Sequence, residues 1–212
     1  MHRLTIVLTI VVAAASAPAA AVAKPSAQVL DVARSFDDGG GYIWSGGSGA
    51  PRAIEFDGAT ILPAQEKGTY CSGYTFSVAM ETAQRRGLLA GKTVAEVRRF
   101  QKEWYGIPKD AAETQCALAV ERLGVGERIE KLAAARPGDF IQLWRTNKSG
   151  HSVVLVEWLR EGRRIVGLRY RSSQGATDGI GDHAEFFSDA PGREGKVLRK
   201  RTYVARLFDA PR

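Results

Sequence analysis

Apolar positions along the chain change their period near residue 137. Before that point they recur at helical spacing. Val29, Leu30, Ala33 and Phe36 share one face of a helix predicted over 24–36, which Asp37 breaks. Tyr74, Val78, Ala79 and Ala83 predict a second over 72–86, stopped by Arg85-Arg86-Gly87, so that Cys71 falls at its N-terminus. Thr93-Val94-Ala95-Glu96 has the form of a capping box and predicts a helix running to near Gly106. Asp110-Ala111-Ala112-Glu113 has the same form and predicts another that ends before Gly124. Between the first two helices, residues 39–51 carry six glycines interleaved with Tyr42 and Trp44. That composition reads as a surface loop, with the two aromatics leaving a substrate-binding role open.

After Arg136-Pro137-Gly138 the pattern becomes β-rich, with short runs at 139–145, 152–159, 164–173 and 202–208. Asn147-Lys148-Ser149-Gly150 and Glu161-Gly162-Arg163 separate the first three as turns. Helices first and hairpin-linked strands afterwards imply an α+β domain, its helices packed on an antiparallel sheet. If a tight turn at Glu161-Gly162 joins two strands, antiparallel pairing sets His151 opposite residues 172–174. Strand alternation then gives Val166, Leu168, Tyr170, Ser172 and Gln174 one face, shared with His151, Val153 and Leu155.

The first residues narrow the setting. His2 and Arg3 precede an apolar stretch from Leu4 to Val12 and an alanine-rich run ending Ala21-Val22-Ala23, the layout of a secretory signal cut after Ala23. The apolar part is too short for a spanning anchor, so no stable membrane insertion is expected once the signal is removed. Residues 24–212 then form a single domain in a secreted or periplasmic protein. The net charge of +7 suits an anionic partner without selecting one. Basic residues are interspersed with acidic ones, and nucleic-acid binding has charge alone behind it, so no nucleic-acid partner is expected.

Absent motifs remove whole classes of chemistry. The chain has no C-x-x-C, no H-E-x-x-H, no phosphate-binding G-x-x-x-x-G-K-[ST] and no G-x-S-x-G. Of three histidines, His2 leaves with the signal. No metal site and no cofactor are expected.

The two cysteines read differently. Cys116 lies in the middle of the helix predicted from Asp110, in register with Ala112, Ala119 and Leu123, as a small core residue. Cys71 sits at a helix start, where unpaired amides and the peptide dipoles lower a thiol pKa and can hold an oxyanion. Tyr70, Ser72 and Gly73 flank the sulfur and are expected to touch substrate, Gly73 by leaving room beside the first turn. His151 at a strand start can take the thiol proton, and Gln174, with Ser172 behind it, can fix the imidazole. His183, in an apparent loop, is a rival base. The alternative is a non-enzymatic exported domain that binds cell-wall or other anionic polymer, its cysteines joined as Cys71–Cys116.

In order, Tyr70-Cys71-Ser72-Gly73, Arg136-Pro137-Gly138-Asp139-Phe140, Gly150-His151-Ser152-Val153-Val154 and Ser172-Ser173-Gln174 resemble the NlpC-type cysteine peptidase and amidase superfamily. The likeness spans residues 70–174. It implies a papain-like α+β fold with Cys71 as nucleophile, His151 as base and Gln174 as third member. It also implies a structural role for Asp139 and, as substrate, an amide bond in peptidoglycan peptides. The chain departs from the family in having Tyr70 where an aspartate is frequent, and Gln174 where a histidine is common.

Overall fold

The computed structural model describes residues 25–44 and 46–211; the expected signal segment, with its expected cut after Ala23, lies outside them. Among the described residues, four α-helices, α1 (Pro25–Arg34), α2 (Cys71–Arg85), α3 (Val94–Trp104) and α4 (Cys116–Leu123), accompany nine strands. The strands are β1 (Gly39–Gly40), β2 (Ile54–Phe56), β3 (Ala59–Leu62), β4 (Gly126–Ile129), β5 (Phe140–Arg145), β6 (Gly150–Glu161), β7 (Arg164–Gln174), β8 (Gly179–Phe186) and β9 (Val197–Leu207). Seven form one sheet in the order β1-β8-β7-β6-β5-β9-β4, with every neighbouring pair antiparallel, and β2 and β3 form a separate hairpin. The α+β class expected from the period change is therefore present, with a larger sheet than the four predicted strands.

Local chemistry explains where the expected helices hold and where one fails. At α3 the capping box forms: Glu96 N–H donates to Thr93 Oγ1 at 3.3 Å, and Thr93 N–H donates to Glu96 Oε2 at 2.8 Å. The similar run at 110–113 does not cap a helix. Asp110 instead accepts from Arg122 at 2.7 Å, and Glu113 takes Arg201 and the Tyr203 hydroxyl. Gln115 then adopts φ 41°, and regular α-helix begins only at Cys116. Cys116 thus opens a helix rather than standing within one.

Two apolar clusters fill the molecule. One joins α1 to α4 with sheet residues such as Phe140, Val154, Ala205 and Leu207. The other takes the alternate positions Ile141, Val153, Leu155, Leu168, Tyr170 and Val204. Successive residues Val153 and Val154 therefore serve opposite faces of β6, as strand geometry requires.

A buried guanidinium ties α1 to the sheet. Arg171 on β7 donates through Nε to the Ala33 carbonyl at 3.0 Å and through Nη2 to the Phe36 carbonyl at 3.0 Å, while Asp38 and Asp182 balance its charge. Tyr74 Oη donates to the same Ala33 carbonyl at 2.8 Å. These donors satisfy carbonyls that the end of a helix leaves unpaired.

The glycine-rich segment is not a plain surface loop. Gly39 and Gly40 pair with Ile180 and Gly179 at the sheet edge, where a Cβ on Gly179 would stand 2.1 Å from the Gly39 carbonyl oxygen. Further along, Gly41 accepts from Thr69 N–H and Ile43 donates to the Thr69 carbonyl, so the segment runs beside the chain that leads into Cys71.

Candidate functional site

Cys71 is the first residue of α2, preceded by Tyr70 in extended conformation. The main-chain amides of Ser152 and Ser72 favour the charged form of its sulfur, and the Ser72 hydroxyl lies 3.9 Å away. Ser152, whose amide acts on the sulfur, directly follows His151 on β6. Both Cys71 and His151 line a cleft of about 990 Å³, together with Tyr42, Trp44, Tyr105 and Trp144.

His151 and Gln174 meet as strand alternation predicts. The β6–β7 register pairs Val154 with Arg171 and Leu155 with Tyr170, and three residues toward the strand end His151 Nε2 lies 3.1 Å from Gln174 Oε1. An amide oxygen only accepts, so Nε2 carries the proton and Nδ1 keeps a lone pair. Ser172 serves otherwise: its hydroxyl donates to the Ser152 carbonyl at 2.6 Å and steadies the two strands beneath the histidine. Thr69 and Ser173 hydroxyls, 2.7 Å apart, join the approach to Cys71 to β7.

Electrostatics differ from expectation. Burial pushes the Cys71 thiol above its usual range, outweighing the Ser152 and Ser72 amides and the positive charge of Arg145, so the depressed thiol pKa expected at a helix start is absent. Burial also drives His151 down to about 3, with Arg145 acting in the same direction. At neutral pH the pair rests as thiol and neutral imidazole rather than as thiolate and imidazolium.

Among the residues expected to touch substrate, only Ser72 lines the cleft. Tyr70 turns away, its hydroxyl donating to the Gly47 carbonyl at 3.0 Å and its ring meeting Tyr105 edge-on. Gly73 leaves no room for a ligand: a Cβ there would lie 2.1 Å from the Gly49 carbonyl carbon, so its bare backbone admits the glycine-rich segment instead. His183 stands on β8, not in a loop, and the Tyr170 ring lies between it and His151, edge-on to both. Asp139 is buried and engages Arg206 through both oxygens, at 2.8 and 2.7 Å, a structural clamp away from the cleft. Both cysteines are free thiols, and the Cys71–Cys116 bridge of the alternative reading is not formed.

Sequence reasoning missed the cleft's charged wall. Arg145 on β5 donates to both oxygens of Glu185 on β8, at 2.7 and 2.5 Å, and the Tyr170 hydroxyl donates to Glu185 at 2.6 Å. Three strands must assemble before these side chains meet, so no local motif could announce them. Trp44, 71% exposed at the rim, was visible only as an aromatic among glycines.

Among the described residues, no group of three or more His, Cys, Asp or Glu side chains could hold a metal ion, and no helix is long and apolar enough to cross a membrane. Fold and site together define an α+β protein with a cysteine at a helix start and a glutamine-paired histidine in one cleft. Comparison of the chain with protein-family models, with curated proteins and with solved structures finds no match in any of the three.

Proposed function

We propose that the protein is a papain-like cysteine hydrolase that cleaves an amide bond, with Cys71 as nucleophile, His151 as general base and Gln174 as the residue that orients the imidazole. One observation carries this: the 3.1 Å contact between His151 Nε2 and Gln174 Oε1 leaves Nδ1 as the ring's proton acceptor in the cleft that holds Cys71. Because thiol and imidazole are both neutral at rest, proton transfer from Sγ to Nδ1 accompanies attack on the carbonyl carbon. The first-turn amides of α2 then receive the negative charge that forms on the carbonyl oxygen. His151 returns the proton to the departing amine, and water releases the acyl group from sulfur.

A peptide bond in peptidoglycan is the substrate we favour. Support comes from the secretory layout of the first residues, the net charge of +7 and the family likeness of the motif order. The proposed location is therefore outside the cytoplasm, in periplasm, wall or medium. Mass spectrometry of purified peptidoglycan incubated with the protein and with Cys71→Ala tests activity and substrate together. New peptide ends made by the first and not the second are expected. Equal ends with both would remove Cys71 from the chemistry, and an intact polymer with both would remove this substrate.

A further inference from the structure

The turn between β7 and β8 holds a hydroxyl that the proposed chemistry has not used. Residues Gly175–Thr177 make one 3-10 turn, Asp178 follows in the left-handed region at φ 45°, and β8 begins at Gly179. This compact path brings Thr177 back over the end of β7. Gln174 Nε2 donates to Thr177 Oγ1 at 2.5 Å, and Thr177 Oγ1 in turn lies 2.6 Å from the Gly179 carbonyl oxygen. A hydroxyl has one proton. With that proton on the Gly179 carbonyl, Thr177 can offer Gln174 only a lone pair. Neighbouring glycine makes the geometry possible, since a Cβ on Gly181 would come within 2.9 Å of Thr177 Cβ. Outside contact holds the turn as well: Gly41 N–H donates to the Asp178 carbonyl at 2.8 Å. Thr177 does not line the cleft, although Gly175 and Ala176 do.

A glutamine amide can face either way, and the two faces have opposite consequences for His151. With Oε1 toward the ring, Nε2 must carry the proton and Nδ1 can accept one. With the amide reversed, its N–H would point at the ring, Nε2 would have to accept, and the proton would move to Nδ1. An imidazole protonated at Nδ1 cannot take the thiol proton through that atom. The amide's orientation therefore decides whether the base exists.

We propose that Thr177 is a positioning residue that selects the amide orientation of Gln174 and, through it, the reactive tautomer of His151. This rests on the hydrolase reading for its catalytic consequence, but not for the tautomer itself. Reversal would bring Gln174 Oε1 against a hydroxyl oxygen whose proton is already engaged, so either two lone pairs would face each other or the Gly179 carbonyl would lose its donor. Both outcomes penalise the unreactive form.

The closing experiment reads the ring directly. Nitrogen-15 NMR of the full chain at neutral pH distinguishes a ring nitrogen that carries hydrogen from one that does not. In the unmodified protein His151 is expected with hydrogen on Nε2; hydrogen on Nδ1 would overturn the proposal without any variant being made. Thr177→Val keeps the side chain's shape and removes its hydroxyl. It is expected to give a mixture of both tautomers and a fall in kcat of about 10- to 100-fold with little change in KM, the range typical of lost outer-shell support. Thr177→Ser is expected to restore both readouts. Gln174→Glu supplies an acceptor oxygen in either orientation, so adding Thr177→Val to it is expected to leave the tautomer on Nε2. A single Nε2–H tautomer in folded Thr177→Val, or no restoration by serine, would overturn the role of Thr177. Loss of the hydrolase reading would instead show as unchanged turnover in Cys71→Ala, with the NMR result standing apart.

Discussion

Cys71 and Cys116 occupy the same local position, the first residue of a helix, and both are buried free thiols. Burial raises both, Cys116 to about 12. A helix start therefore does not by itself make a cysteine reactive here, because desolvation of the thiolate outweighs what the amides return. What separates the two is their surroundings. Cys116 packs among Ala117, Val120 and Leu123 in the helical core, whereas Cys71 opens on a cleft that is also lined by His151, with Gln174 against its ring. The difference lies in the neighbouring sheet, not in the helix that bears the sulfur.

The largest effect should come from exchanging the two thiols in turn. Cys71→Ala is expected to lower the rate of peptide-end release by about a thousandfold or more, as loss of a nucleophile does, while Cys116→Ala keeps activity near the parent level. Comparable losses from both would erase the distinction.

Next comes acid. His151 is held neutral in the fold, down to about 3 from its ordinary 6.5, so an unfolded chain binds a proton that the native state refuses. Stability from this group is complete above pH 6.5 and falls as pH drops toward 3. At pH 4.5 the loss amounts to roughly 2–3 kcal/mol. Urea unfolding of the parent and His151→Gln at pH 7 and 4.5 measures it; the glutamine variant should lose that part of the pH slope.

Gln174→Ala should reduce kcat by about 10- to 100-fold while Cys71 stays folded and alkylatable, since it removes orientation rather than the nucleophile. Alkylation by iodoacetamide compares the sulfurs directly. Cys71 is expected to react in the native protein at a rate that rises about tenfold per pH unit between pH 7 and 9, tracking its thiolate fraction. Cys116 should react only on unfolding. A Cys71 rate already level below pH 7 would mean a preformed thiolate and contradict the resting state described above. Smallest of all, Cys116→Ala should cost about 1 kcal/mol in the same urea titration, with little cavity left behind.

How legible these features were depends on how locally each is determined. The meeting of His151 and Gln174 follows from alternation out of the tight Gly162-Arg163 turn, and because the two register shifts along β6–β7 offset each other, the face read from the sequence is the one observed. The α3 capping box is equally local and is present. Strand β8 was hidden because Gly179-Ile180-Gly181-Asp182-His183 alternates glycine and charge with few apolar side chains; it gains its order from pairing with β7 along its length. The β2–β3 hairpin left a usable signal, Asp57-Gly58 between short apolar runs, with both residues at positive φ. Gly73 misled because an empty side chain can admit a ligand or another backbone, and only the packed chain decides which.

The Arg171 clamp carries a consequence for the order in which the molecule comes together. The Ala33 carbonyl lies 138 residues before the guanidinium that satisfies it, and the Phe36 carbonyl lies 135 before. Among the described residues the first helix thus gains its Tyr74 donor at Ala33 from α2, while the guanidinium that also reaches Phe36 comes with a strand synthesised much later. Closure over so long a stretch of chain slows assembly. A nascent polypeptide stopped short of residue 171 would hold α2 and its Tyr74 hydroxyl and still lack the guanidinium that joins α1 to the sheet.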